Sequence, residues 1–261
     1  LIPGETLTTR SPFDNPYPNL RAAMVNIALG DMKKAEDLLS QAESASQKDG
    51  WFNLVRGELY YYRDRNLTAA EADFRKAIDL NKNIIRAYEL LALVLIDKGD
   101  LDEAEKWAKE GLKVIARGTN QELTMNSSRL WFILSLVYNA QNRWAEALEA
   151  ANTSISGNPF RCRAYYSKGI ALANLKEINK AWGSINIGFN VGQTQELLSS
   201  TACKIEGYLT MARLSEMEGK IEEAINYYEK AANISNNVFS NWKYYQELAR
   251  NRTQELRARS R

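Results

Sequence analysis

Small residues return at fixed offsets along this chain, and that recurrence limits its fold more than any other feature. A small residue, a residue four positions on and a small one three further recur six times. The copies are Ala35–Leu39–Ala42, Ala70–Phe74–Ala77, Ala104–Ala108–Gly111, Ala147–Ala151–Ser154, Ala181–Ile185–Gly188 and Ala224–Tyr228–Ala231. Residues three and four apart share one helix face, so each triplet marks a helix that another helix crosses closely. Corners punctuate the copies. Gly30-Asp31 and Gly99-Asp100 pair a left-handed helix exit with a capping aspartate, Gly219-Lys220 repeats the glycine exit, and Asn66 and Asn142 are expected to turn the corner elsewhere. The first hairpin is expected to pair residues 19–29 with 33–46. One such hairpin cannot bury its apolar face alone, but six stacked in a row can.

Further positions add detail. The third copy carries Tyr88, Leu91-Ala92, Gly99-Asp100, Ala104 and Ala108, and the fourth carries Trp131, Leu134, Tyr138, Ala147 and Pro159. The second shows Gly57, Tyr60, Ala70, Phe74 and Ala77 with one extra residue in its turn. The fifth has Tyr165, Gly169, Ala181 and Gly188; the sixth has Tyr208, Ala212, Gly219, Ala224, Tyr228 and Ala231; the first rests on Ala23, Gly30-Asp31, Ala35 and Ala42. This pattern resembles the tetratricopeptide repeat, whose period is about 34 residues. The resemblance implies an all-α fold, a right-handed superhelical solenoid of stacked antiparallel helix pairs. Residues 19–236 would form six repeats, after an extended lead-in at 1–18 that holds four of the five prolines. Residues 237–261 would supply a capping helix and basic tail, with Trp242, Tyr245 and Leu248-Ala249 packed on the sixth repeat and Lys243, Arg250, Arg252 and Arg257 wet.

The spacing is not uniform. From Ala35 to Ala224 the alanine marker advances by 35, 34, 43, 34 and 43 residues. Two nine-residue insertions therefore fall at equivalent connections, near 119–127 and 196–204. Gln121-Glu122-Leu123 and Gln195-Glu196-Leu197-Leu198 are good helix formers, so lengthened helices are expected rather than loose loops.

Composition excludes much chemistry. The chain contains no histidine, which removes Cys-His and Ser-His nucleophiles and His-containing metal sites. No glycine-rich phosphate loop occurs, and the carboxylate pairs Asp102-Glu103 and Glu222-Glu223 sit where they favour the positive end of a helix dipole. The reading is therefore not an enzyme, with no cofactor and no metal. A net charge of +2 argues against nucleic acid as partner, despite the arginine-rich end at 250–261. Tyr60-Tyr61-Tyr62 and Tyr227-Tyr228 read as core and rim rather than a stacking platform. No apolar run approaches the roughly 18–20 residues of a membrane span, so direct membrane insertion is not expected. Leu1 is expected to follow a trimmed start, which leaves cytoplasm and periplasm both open. Two cysteines, Cys162 and Cys203, are too few for a disulfide framework and are expected to be idle buried thiols, with a bridge as the alternative.

Function in proteins resembling this pattern resides on the concave face built by the first helix of each hairpin. The expected groove residues are Arg86, Glu89, Leu93, Arg129, Phe132, Leu136, Arg163, Tyr166, Ile170 and Arg213. Arg86, Arg129 and Arg163 would form a cationic ladder beside an apolar floor, suited to a peptide or helix with hydrophobic and acidic residues. The two-carboxylate clamp that such domains use for chaperone tails needs lysine and asparagine at inward slots. Here those slots hold Glu89, Phe132, Tyr166, Leu93, Leu136 and Ile170, so that clamp is not expected. The leading reading is a noncatalytic interaction scaffold. The alternatives are a regulatory peptide sensor and the interaction region of a longer, membrane-anchored protein, and self-association stays open.

Overall fold

The computed structural model describes residues 17–46, 50–117, 123–193, 197–235 and 240–259. Among these residues the chain forms thirteen helices and no strand. Six hairpins follow one another: α1 (Pro18–Leu29) with α2 (Met32–Ser46), α3 (Trp51–Leu59) with α4 (Leu67–Leu80), and α5 (Ile85–Lys98) with α6 (Leu101–Arg117). Next come α7 (Leu123–Ala140) with α8 (Trp144–Gly157), α9 (Cys162–Asn174) with α10 (Ile178–Gln193), and α11 (Leu197–Met217) with α12 (Ile221–Ala232). A final helix, α13 (Ser240–Arg259), follows.

The alanine marker does what its spacing requires. Ala35, Ala70, Ala104, Ala147, Ala181 and Ala224 are all fully buried, at the crossing within each hairpin. The first helices α3, α5, α7, α9 and α11 also touch their counterparts in the next repeat, more closely than the second helices touch theirs. The array therefore curves toward its first helices, which form the inner wall of a solenoid. Gly30 and Gly99 adopt the left-handed conformation at φ 83° and 87°, and Asp31 accepts a hydrogen bond from the Lys34 amide at 3.1 Å. Asn142 takes the corner at φ 60°, as its position suggests.

Asn66 does not take the corner. Arg65 holds the left-handed conformation at φ 50°, and Asn66 caps α4 by accepting a hydrogen bond from the Ala69 amide at 3.1 Å. The cause is the extra residue of the second repeat. It is absorbed by a π-helical turn, Tyr60–Asp64, that continues α3 and delays the exit by one position. Both insertions lengthen helices: α7 and α11 have 18 and 21 residues, against 14 in α5 and 13 in α9. The lead-in through residue 16 and the insertion residues 119–122 and 196 lie outside the described residues.

The cysteines depart furthest from expectation. Cys162, the first residue of α9, and Cys203, in the added length of α11, form a disulfide across a Cα–Cα distance of 6.1 Å. The added turns of α11 carry Cys203 back alongside the start of α9, past the end of α10. Gly192 makes this approach possible, because a Cβ there would stand 2.5 Å from the Cys203 Cβ.

Candidate partner-binding groove

Each arginine of the expected ladder reaches the inner wall, and each meets a carboxylate there. Arg86 donates from Nε to Glu58 at 2.9 Å and stands 3.6 Å from Glu89. Arg129 lies 3.4 Å from the same Glu89. Arg163 donates to Glu206 at 2.6 Å while its guanidinium covers the Phe132 ring at 5.0 Å. The ladder is thus an interleaved charge network, not a row of free cations. A buried or half-buried cation without a counter-charge would be too costly to leave bare.

The expected apolar floor is only partly open. Phe132 and Tyr166 are buried, the second with its hydroxyl donating to the Cys203 carbonyl at 2.8 Å. Glu89 is buried as well. Leu93, Leu136 and Ile170 are half-buried, and Arg213 is exposed with no ion pair among the described residues. Of the ten expected residues, then, Leu93, Arg129, Leu136, Arg163, Ile170 and Arg213 keep exposed surface, whereas Glu89, Phe132 and Tyr166 are buried and Arg86 is the most covered of the three ladder arginines.

Sequence reading missed Glu58, Arg161 and Glu206. The signal for one was present. Arg86, Arg129, Arg163 and Glu206 are 43, 34 and 43 residues apart, so Glu206 is the ladder position in the sixth repeat, and the cationic series ends in an acid. Arg161 reaches the Ser128 hydroxyl at 3.0 Å, but its buried Nε has no hydrogen-bond partner among the described residues. Burial lowers the Arg161 pKa, Glu89 opposing and Arg163 and Arg86 adding to the fall. Burial likewise pushes the Glu89 carboxyl up to about 7, only partly offset by Arg86 and Arg161. Among the described residues, Arg86, Arg129 and Arg163 share Glu58, Glu89 and Glu206, one of which resists ionisation, and Arg161 makes no ion pair. This cluster of described residues carries surplus positive charge.

Helix α13 borders this site. Its C-terminal half packs on the sixth repeat through buried Ala249, Thr253 and Leu256, with Arg252 paired to Glu216 and Arg257 to Glu229. Lys243, Arg250 and Arg257 are exposed, as expected of a cap, while Arg252 is half-buried by its ion pair; Leu248, expected to pack, is exposed instead, and the Trp242 side chain lies outside the described residues. The other half does something a cap does not. It crosses to the π-helical turn of the second repeat, where the Arg65 guanidinium sits 3.9 Å from the centre of the Tyr244 ring.

Among the described residues, no group of acidic or cysteine side chains could hold a metal ion, and no helix is long and apolar enough to cross a membrane.

Comparison with known proteins agrees with this architecture. Two family models, both described as tetratricopeptide repeat, match residues 59–119 and 205–238. No curated protein matches the chain in sequence. Among solved structures, a tetratricopeptide repeat protein from Parabacteroides merdae ATCC 43184 is similar, with a TM-score of 0.61 at 16% identity over 89% of this chain and 83% of that one. PilF of Pseudomonas aeruginosa gives 0.59 at 16% identity, covering 89% of this chain and 96% of its own. The APC/C hetero-tetramer Cut9–Hcn1 gives 0.70 at 12% identity, over 85% of this chain and 41% of that one.

Proposed function

The chain belongs to the tetratricopeptide repeat family, and from that premise we propose that it is a noncatalytic scaffold whose concave groove holds an acidic, partly apolar segment of a partner protein. The observation that carries this reading is the charge surplus on the inner wall: among the described residues Arg161 makes no ion pair, and Arg129, 37% exposed, is only loosely held by Glu89 at 3.4 Å. A carboxylate from a partner would complete that network, and guanidinium is the group best shaped to grip it. Leu93, Leu136 and Ile170 would take the partner's apolar side chains. A fold similar to that of Cut9–Hcn1, a protein assembly, supports the same class of role. The disulfide between Cys162 and Cys203 supports work in an oxidising compartment, where such bridges persist.

Arg163→Glu would place a second carboxylate beside Glu206, and Arg129→Glu would place one beside buried Glu89, so either charge reversal confuses folding with binding. Arg129→Gln combined with Arg213→Glu lowers the positive charge of the open wall without setting a carboxylate beside Glu89. Capture of the native partner should be lost while helicity and melting temperature stay within error of the parent. Undiminished capture would sink the groove reading.

A further inference from the structure

The N-terminal half of α13 spans the mouth of the groove rather than its end. Tyr244 receives Arg65 on its ring face and stands 5.6 Å from the Tyr245 ring, centre to centre. Arg65 is itself held 3.4 Å from Asp97 of α5, and the Tyr61 hydroxyl donates to that same carboxylate at 3.1 Å. Tyr245 lies among groups from four repeats: burial pushes its hydroxyl up to about 12, Asp97 and Glu206 raising it and Arg163 and Arg65 opposing. Tyr244 thus meets the second repeat through Arg65, while Tyr245 packs on the apolar cluster of the sixth. A cation under one ring and an apolar bed under the other make a built seat.

The two halves of α13 are attached differently. Ala249, Thr253 and Leu256 are buried against the sixth repeat, whereas Tyr244 is 41% exposed and Tyr245 half-buried. Apolar burial anchors the C-terminal half, and it reaches back to Tyr245, which packs on the sixth-repeat core, and to buried Gln246, which donates to the Ile234 carbonyl at 2.6 Å. Tyr244, ahead of these, is held by its cation–π contact, worth about 0.5–1 kcal/mol at exposed sites.

We propose that the first turns of α13 are a built-in strap across the groove, and that the partner segment enters by lifting this strap and placing its own pair of adjacent aromatic residues in the seat of Tyr244 and Tyr245. The inference rests on the groove reading above and adds the partner's chemistry: a helical turn with neighbouring aromatic side chains, at least one carrying a hydroxyl. It also explains the π-helical turn. Delaying the exit of α3 by one residue is what makes Arg65 the corner residue and gives Tyr244 its cation.

A fluorescein-labelled peptide with the sequence of residues 240–251 serves as probe on the full chain. In the parent the tethered strap outcompetes it, since an occupied seat reduces apparent affinity by the fraction left open. Tyr244→Ala with Tyr245→Ala vacates the seat, and the peptide should bind at least about tenfold more tightly. Adding Arg65→Ala should abolish that gain. Hydrogen exchange gives the second measurement: Arg65→Ala should speed exchange at 243–248 and leave 249–259, α9 and α11 protected. Equal peptide affinity for parent and double variant would overturn the proposal, as would loss of protection through all of α13 together, which marks an inseparable cap. Failure here is distinct from failure of the groove reading. A seat that exchanges peptide, with partner capture indifferent to Arg129→Gln and Arg213→Glu, would sink the groove and spare the strap. Loss of capture in those variants with no peptide gain would do the reverse.

Discussion

The second to fourth repeats and the fifth and sixth repeats share one architecture but are held together by different chemistry. In the first block, Leu90, Leu91, Leu95, Leu130, Ile133 and Leu134 are completely buried on neighbouring inner helices, and aliphatic contact is enough to set their spacing. Glycine brings helices close in both, at Gly57 and Gly111 in the first block and at Gly188 and Gly207 in the second, where a Cβ on Gly207 would stand 2.7 Å from the Tyr166 hydroxyl and one on Gly188 2.8 Å from the Cys162 carbonyl oxygen. Tyrosine hydroxyls then bond across the gaps, Tyr166 to the Cys203 carbonyl and Tyr228 to Glu216 at 2.7 Å, and a disulfide links α9 to α11. The lesson is that a repeat needs only a complementary neighbour. Close approach and tyrosine hydroxyl bonds serve both blocks, Tyr61 reaching Asp97 in the first, and the covalent tie is what the second block adds.

The sharpest way to break this comparison is to remove the covalent tie. Cys162→Ser with Cys203→Ser releases a cross-link whose ends are 41 residues apart and should cost about 2–4 kcal/mol. Because repeats interact mainly with their neighbours, hydrogen exchange should quicken in α9 to α12 and remain slow in α5 and α7. Uniform acceleration would show that the two blocks are one cooperative unit.

A smaller effect is expected from Glu89 in the first block. Its folded pKa of about 7 lies above the ordinary carboxylate value, so the folded chain holds a proton that the unfolded chain has released. Stability should then fall as pH rises between about 4.5 and 7, because the folded state binds more protons in that window. Glu89→Gln should flatten this slope and leave the protein more stable at pH 8, by roughly 1–3 kcal/mol. Urea titrations at pH 5 and pH 8 compare the two proteins. A steeper slope in the variant would mean that Arg86 and Arg129 dominate the carboxyl instead.

The smallest change concerns a corner. The first and third repeats turn on glycine, but the fifth turns on Lys176 at φ 68°, where a side chain is strained. Lys176→Gly should stabilise by about 0.5–1 kcal/mol, the relief of strain exceeding the added chain entropy. Thermal melting reads the gain, and a loss would show that Lys176 makes a compensating contact.

Much of this molecule was legible from spacing. The buried alanines, the corners at Gly30, Gly99 and Asn142, and the lengthened α7 and α11 follow from local rules that act within one or two helical turns. The equivalence of Arg86, Arg129, Arg163 and Glu206 was also written in the period. The corner at Arg65 was not, because a single extra residue can be taken up in a loop or inside a helix; the π-helical turn that takes it up bonds Tyr61 to Asp97 of the next repeat, a contact outside the local sequence.

What the sequence alone determined is the repeat and its inner wall, since both arise from contacts between residues close in the chain or one period apart. The pairing of Cys162 with Cys203, the glutamates that claim the arginines, and the reach of Tyr244 and Tyr245 to the second repeat were decided by the tertiary structure. These depend on how far the superhelix turns over six repeats. That curvature is a sum of small rotations at every interface, and no single stretch of sequence contains it.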